Sequence, residues 1–128
     1  MVWKQSNEYD AASKGIYDTE NTRFREYHLG GNPKNGMLTV DLNKNGYQIR
    51  NVFVDDPLRR KGFASSIYSE LNVESLRKTG KPLRSSEIGY GRKTGSTSLS
   101  PDGIKLWDKL VSNGVAVKFS DHYEYKSQ

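Results

Sequence analysis

The chain has 128 residues, 34% hydrophobic and 27% charged, with a formal net charge of +5. That length suits one domain with one modest core, and it excludes wholesale disorder. With no cysteine and only two histidines, His28 and His122, disulfides, thiolate nucleophiles and Cys/His metal sites are excluded, and no metal is expected. The opening Met1-Val2-Trp3-Lys4-Gln5-Ser6 has no secretory apolar core, and no apolar run approaches ~18 residues. The expected setting is therefore cytoplasmic, a host's cytoplasm if the chain is viral, with no membrane partner. Positive charge favours an anionic partner such as a phosphorylated cofactor, a nucleic acid or an acidic protein.

Residues 1–21 are polar, with scattered Trp3, Tyr9, Ile16 and Tyr17, and read as a short strand or extended arm followed by an irregular stretch. Thr22 to Leu29 reads as a strand, closed by Gly30-Gly31-Asn32-Pro33. Leu38, Val40 and Leu42 alternate with Thr39 and Asp41, the pattern of a half-buried strand, and Asn45-Gly46 marks a hairpin connection. In the next strand, Tyr47 to Val54, the apolar phase starts on Tyr47 and Ile49 but ends on Val52, Phe53 and Val54. Either both faces are buried or a bulge near Arg50-Asn51 shifts the register.

The period then changes. Phe63, Ile67 and Leu71, with Ala64 and Tyr68 beside them, predict a helix to Lys78, stopped by Gly80. Lys81 to Ser86 fits a short buried strand, completing strand–helix–strand over 47–86. Glu87 to Leu99 reads as a loop. Ser100-Pro101-Asp102 opens a second helix whose inner face carries Ile104, Trp107 and Val111, and Asn113-Gly114 ends it. Val115–Phe119 and His122–Tyr125 predict a closing hairpin.

Chemistry concentrates in the turn Arg59-Arg60-Lys61-Gly62-Phe63-Ala64. Backbone N–H groups at a helix start, the positive end of its dipole and three adjacent cations suit a pyrophosphate. Gly62 permits close approach, and the small Ala64 lets a ligand lie against the helix. Ligands in open α/β sheets bind at such carboxyl ends of strands.

Val54-Asp55-Asp56-Pro57-Leu58-Arg59-Arg60-Lys61-Gly62-Phe63-Ala64 resembles the acyl-CoA-binding motif of the GNAT (general-control-related N-acetyltransferase) superfamily: a valine-ended strand, a proline, then Arg/Gln-x-x-Gly-x-Gly/Ala. Ser100 to Trp107 is similar to the family's later helix. The resemblance spans about residues 22–125 and is nearest to small phage-type members. It implies an α/β fold, a single 1–128 domain with a mixed, mostly antiparallel sheet and a central strand–helix–strand acyl-CoA-binding unit. The N-terminal ~21 residues would be an abbreviated arm in place of the family's helix pair. Proline falls one position late, Arg60 replaces a usual glycine, and Trp107 stands where many members carry a proton-donating tyrosine; indole cannot protonate a thiolate at neutral pH.

The function so implied is acetyl transfer from acetyl-CoA to a primary amine by direct attack. The acceptor is left open as a small molecule, a protein lysine or N-terminus, or an aminoacylated RNA. Main-chain groups of Phe53 and Val54 would meet the pantetheine arm, and Arg59, Arg60, Lys61, Gly62, Phe63 and Ala64 would hold the pyrophosphate. Tyr90 is the candidate acid, Asp41, Asp55 and Glu87 are candidate bases, and Ser85 and Ser86 could bind the acceptor or relay a proton, with capping as the competing role. His122 and Tyr123 could reach the same end of the sheet, whereas Trp107 reads as core. The competing reading is a non-catalytic module for a nucleic acid or host protein, with Arg92, Lys93, Lys105, Lys109 and Lys118 interleaved with Tyr90, Trp107, Phe119, Tyr123 and Tyr125. A homodimer is compatible with either.

Overall fold

Alternating apolar residues followed by turn residues make the first half of the chain a meander, and helical periods then return it to the sheet. The computed structural model describes residues 1–10, 23–88 and 99–126. Strands β1 (Trp3–Asp10), β2 (Arg23–Leu29), β3 (Gly36–Asp41) and β4 (Gln48–Val54) form an antiparallel sheet in that order. A one-turn 3-10 helix, Asp56–Leu58, leads to α1 (Phe63–Thr79); α2 (Pro101–Ser112) and the hairpin β5 (Ala116–Lys118) and β6 (Tyr123–Tyr125) follow. The architecture is a small mixed α/β one. Among the described residues no helix is long and apolar enough to cross a membrane.

The expected strand at 81–86 is reduced to a one-residue seam. Arg84 bridges Gln48 in parallel and Glu124 in antiparallel fashion. Ile49 N–H donates to the Arg84 carbonyl (2.8 Å) and Arg84 N–H to that of Tyr47 (2.8 Å), while Ser85 and Tyr125 N–H groups donate to Tyr123 and Leu83 carbonyls. The seam joins β4 to the closing hairpin, and no strand lies between α1 and α2 among the described residues.

Both helices share one core with the sheet. Leu38, Val40, Tyr47 and Ile49 meet Ile67, Tyr68 and Leu71 of α1, Trp107 and Leu110 of α2, and Ala116, Tyr123 and Tyr125 of the hairpin. Trp107 is wholly buried, its ring stacked on Tyr123 (5.8 Å between centroids) and packed against Tyr68 (5.4 Å) and Tyr125 (5.6 Å). The helix stops and starts follow local chemistry. Gly80 takes the left-handed conformation (φ +76°), its N–H donating to the Leu76 carbonyl, and Ser100 Oγ accepts from Gly103 N–H.

The α1 stripe runs Ile67, Leu71, Ser75 and includes Tyr68, while Phe63 is only half-buried. Ser75 is a serine at a core position. Its hydroxyl donates to the Lys81 carbonyl (2.7 Å) and accepts from Tyr47 N–H (2.9 Å), tying the start of β4 to the end of the crossover. Arg25 of β2 makes a two-pronged ion pair with Glu74 of α1 (2.9 and 3.0 Å), and Tyr47 Oη donates to the same carboxylate (2.9 Å). That pairing with Arg25, opposed by burial and reinforced by Tyr47, holds the Glu74 carboxyl below its ordinary pKa.

Candidate functional site

The register between β3 and β4 shifts once. Thr39 faces Asn51 and Val40 faces Ile49, so Arg50 is the extra residue of a bulge. Its guanidinium lies 5.0 Å over the Phe24 ring and 3.6 Å from the Asp41 carboxylate, both on the bulged side of the sheet. The bulge has a consequence for the main chain. Asp55 N–H donates to the Asn35 carbonyl, and alternation from that pair turns Phe53's N–H and C=O toward Met37. Val52 and Val54 instead present theirs to the edge away from β3. Phe53 therefore offers a half-exposed side chain (46% exposed), not main-chain groups, to anything bound at this edge.

Described residues pair with that edge at its Gln48–Arg50 end. Ser86 Oγ donates toward the carbonyls of Ile49 (2.6 Å) and Arg50 (3.1 Å), and Gln48 Nε2 donates to the Ser85 carbonyl (3.0 Å). Beyond Arg50, no hydrogen bond joins β4 to the 83–88 segment among the described residues. Among the described residues the pairing of β4 with this segment thus ends at Ser86, and the Val52 and Val54 main-chain groups lie beyond it.

The loop between β4 and α1 adopts left-handed backbone at Arg60 (φ +63°) and Gly62 (φ +83°). A Cβ at Gly62 would meet nothing within 4 Å, so conformation and not crowding selects glycine. Gly62 is also the N-cap of α1 and supplies no capping side chain, which leaves the first N–H groups of the helix free of side-chain caps. Arg60, Lys61 and Gly62 are exposed; Phe63 and Ala64 are half-buried.

Arg59 is differently employed. Its Nε donates to the Val54 carbonyl (2.8 Å), and Nη1 lies 3.0 Å from both Asp56 and Asp102 carboxylates. The side chain thus clamps the end of β4 to the 3-10 turn and to the first turn of α2. Asp102, which the motif does not include, ties the loop after β4 to the first turn of α2.

The remaining candidates are placed as follows. Ser85 is fully buried, its hydroxyl donating to the Ser86 carbonyl (2.6 Å) and accepting from Tyr123 N–H (2.9 Å), so it serves the seam. Glu87 is half-buried, its carbonyl accepting from Leu99 N–H (2.9 Å). Asp41 is 4% exposed and faces Arg50. Tyr90, Arg92 and Lys93 lie outside the described residues.

His122 sits across from Ser86 on the neighbouring strand. Its Nδ1 meets Asp121 at 2.6 Å and its Nε2 meets Glu124 at 2.8 Å, so the protonated ring has a carboxylate acceptor for each N–H; the ring stacks on Phe119. Burial pulls its pKa down, but the hydrogen bonds to Glu124 and Asp121 outweigh that and hold it above the ordinary 6.5.

Trp107 and Tyr123 are wholly buried and Tyr125 nearly so, which removes three of the five aromatics from a surface that would stack bases. A groove of about 360 Å³ between α1 and β2, lined by Tyr27, Glu70, Val73, Glu74 and Arg77 among others, includes none of the predicted site residues. Compared with protein-family models, curated proteins and solved structures, the chain matches none.

Proposed function

We propose that the chain is an acyl-CoA-binding N-acetyltransferase of GNAT type, acting on a primary amine. The observation that carries the reading is the bulged β4, whose Val52 and Val54 main-chain groups face away from β3, followed by the left-handed Arg60–Gly62 loop at the start of α1. The residues fit an elongated ligand with an anionic end. Uncapped N–H groups, the helix dipole and the Arg60 and Lys61 side chains suit a pyrophosphate. Val52 N–H and C=O and Val54 N–H suit an amide-bearing arm lying along the strand, while the Val54 carbonyl is already taken by Arg59. Arg60 in left-handed backbone also accounts for a motif that carries arginine in place of the usual glycine.

Bound acetyl-CoA supplies a thioester carbonyl open to attack by an amine nitrogen. The chain's part is to hold the arm along β4 and to aim a preorganised Val52 or Val54 N–H at the developing oxyanion. A carboxylate of the Asp121–His122–Glu124 group would take the acceptor's proton through water, and as the tetrahedral intermediate collapses the C–S bond breaks and CoA leaves as its thiolate.

A second reading is favoured by Trp107. It occupies the position of the family's proton-donating tyrosine, yet it is part of the core, and Ser85 is committed to the seam. A fold that binds acyl-CoA, or a host protein, without transferring anything follows from those two facts.

The test is thermal unfolding with millimolar acetyl-CoA, against ATP as the polyanion control. At ~100 times its Kd a ligand adds about 2.7 kcal/mol, worth several degrees for a chain of this length. The expected result is a shift with acetyl-CoA alone, abolished by Lys61→Glu. Equal shifts with both ligands, or none, overturn the cofactor reading. A specific shift without thiol release across an amine panel leaves the non-transferring reading.

A further inference from the structure

The outer edges of the four-stranded sheet and of the closing hairpin are finished differently. On the first, β1 is guarded: Lys4, Gln5, Ser6 and Asn7 are exposed and polar, and a bulge at Ser6 interrupts its pairing. On the second, β5 has no such protection. Val115, Val117 and Phe119 alternate on one side of the strand and are 42%, 38% and 45% exposed, an apolar row on a chain with few such residues at its surface. Lysine is the usual guard of an edge, but Lys118 does not act as one, because its ammonium lies 5.7 Å over the Tyr123 ring.

The backbone of this edge is also open. Lys126 N–H donates to the Val115 carbonyl and Phe119 N–H to that of His122, so Val115, Val117 and Phe119 spend their main-chain groups on β6. Alternation turns the N–H and C=O of Ala116 and Lys118 outward, and no described residue pairs with them.

We infer that β5 is a homodimer interface, at which a second copy adds its own β5 antiparallel about a two-fold axis through Val117. The occupant is a second copy because the edge is self-complementary. Such an axis sets Ala116 of each chain against Lys118 of the other, and those are the residues with outward main-chain groups, giving four hydrogen bonds. It sets Val117 against Val117 and Phe119 against Val115, so the apolar row runs unbroken across both chains. It also places the hairpin tip, whose Asp121 carboxylate is held by His122, at the basal end of the partner hairpin. No like charges are opposed at the axis. The interface is small, so the association is concentration-dependent. It does not depend on the cofactor reading.

The experiment is sedimentation velocity on the full chain from about 10 µM to about 1 mM, the range in which an interface of this size binds. The wild type is expected to move from monomer to twice its mass across the series. Val117→Asp opposes two carboxylates at the axis, and Lys118→Pro removes an outward donor while sparing the β6 ladder; both are expected to stay monomeric throughout. In parallel, amide exchange at Ala116 and Lys118 should slow as the wild type associates, a readout that stands even if a variant fails to fold. A wild type that stays monomeric, variants that dimerise as well, or unchanged exchange at both amides in the dimer overturns the proposal.

Discussion

Arg60 is the only residue other than glycine with positive φ among those described, at +63°. A side chain in that conformation costs about 1–2 kcal/mol, because Cβ crowds the following carbonyl. Arg60→Gly removes that strain but loosens the unfolded chain by about 0.5–1 kcal/mol. The net expectation is a gain of up to about 1 kcal/mol in urea unfolding, with the loop geometry kept. Gly62→Ala, with open space but φ +83°, should lose about as much. This part of the site was legible: the glycine, the cations and the helix start are all local in sequence. Arg59's engagement was not, since Asp102 lies 43 positions on and enters only through the packing of α2.

At the scale of elements, periodicity was a good guide wherever one face of a strand or helix is buried. Strands β2 to β4, both helices and the closing hairpin fall close to where alternation and capping residues put them, and the bulge near Arg50 shows in the broken phase of Tyr47–Val54. What period could not show is which polar residues are internal. Ser75 sits on the apolar stripe of α1, and Glu74 beside it is claimed by Arg25 and Tyr47 from two other elements. Glu74→Ala leaves the Arg25 guanidinium, 13% exposed, with Glu8 as its remaining carboxylate partner among the described residues and the Tyr27 hydroxyl as a neutral one. The loss in urea unfolding should be about 2 kcal/mol, below the ~3–5 kcal/mol of a fully buried pair because water reaches part of this one. Glu74→Gln, which can still accept from Tyr47, should lose less.

For the molecule as a whole, these two charged groups set opposite limits on pH. Glu74's pKa is depressed by folding, so its contribution is complete above the ordinary carboxyl value of 4.5 and is lost as pH falls through the folded value. His122's pKa is raised by folding, so its contribution is complete below 6.5 and is lost as pH rises through the folded value. Melting temperature should therefore be highest between those limits. Replacing His122 by Gln should flatten the alkaline fall and leave the acid one, as a melting series in both proteins will show.

The seam at Arg84 also orders the assembly of the chain in time. The meander β1 to β4 pairs neighbours in sequence, whereas the bridges from Gln48 to Arg84 and from Arg84 to Glu124 close loops of some 36 and 40 residues. Closures of that length come late in folding, after local turns and α1 have formed. The hairpin is expected to dock last, and until it does the indole of Trp107 has only Tyr68 of the three tyrosine rings it packs against. A ribosome-bound chain that has not yet emitted residues 115–126 holds a formed meander beside an unfinished core, and its aromatic interior closes only with the final dozen residues of the described chain.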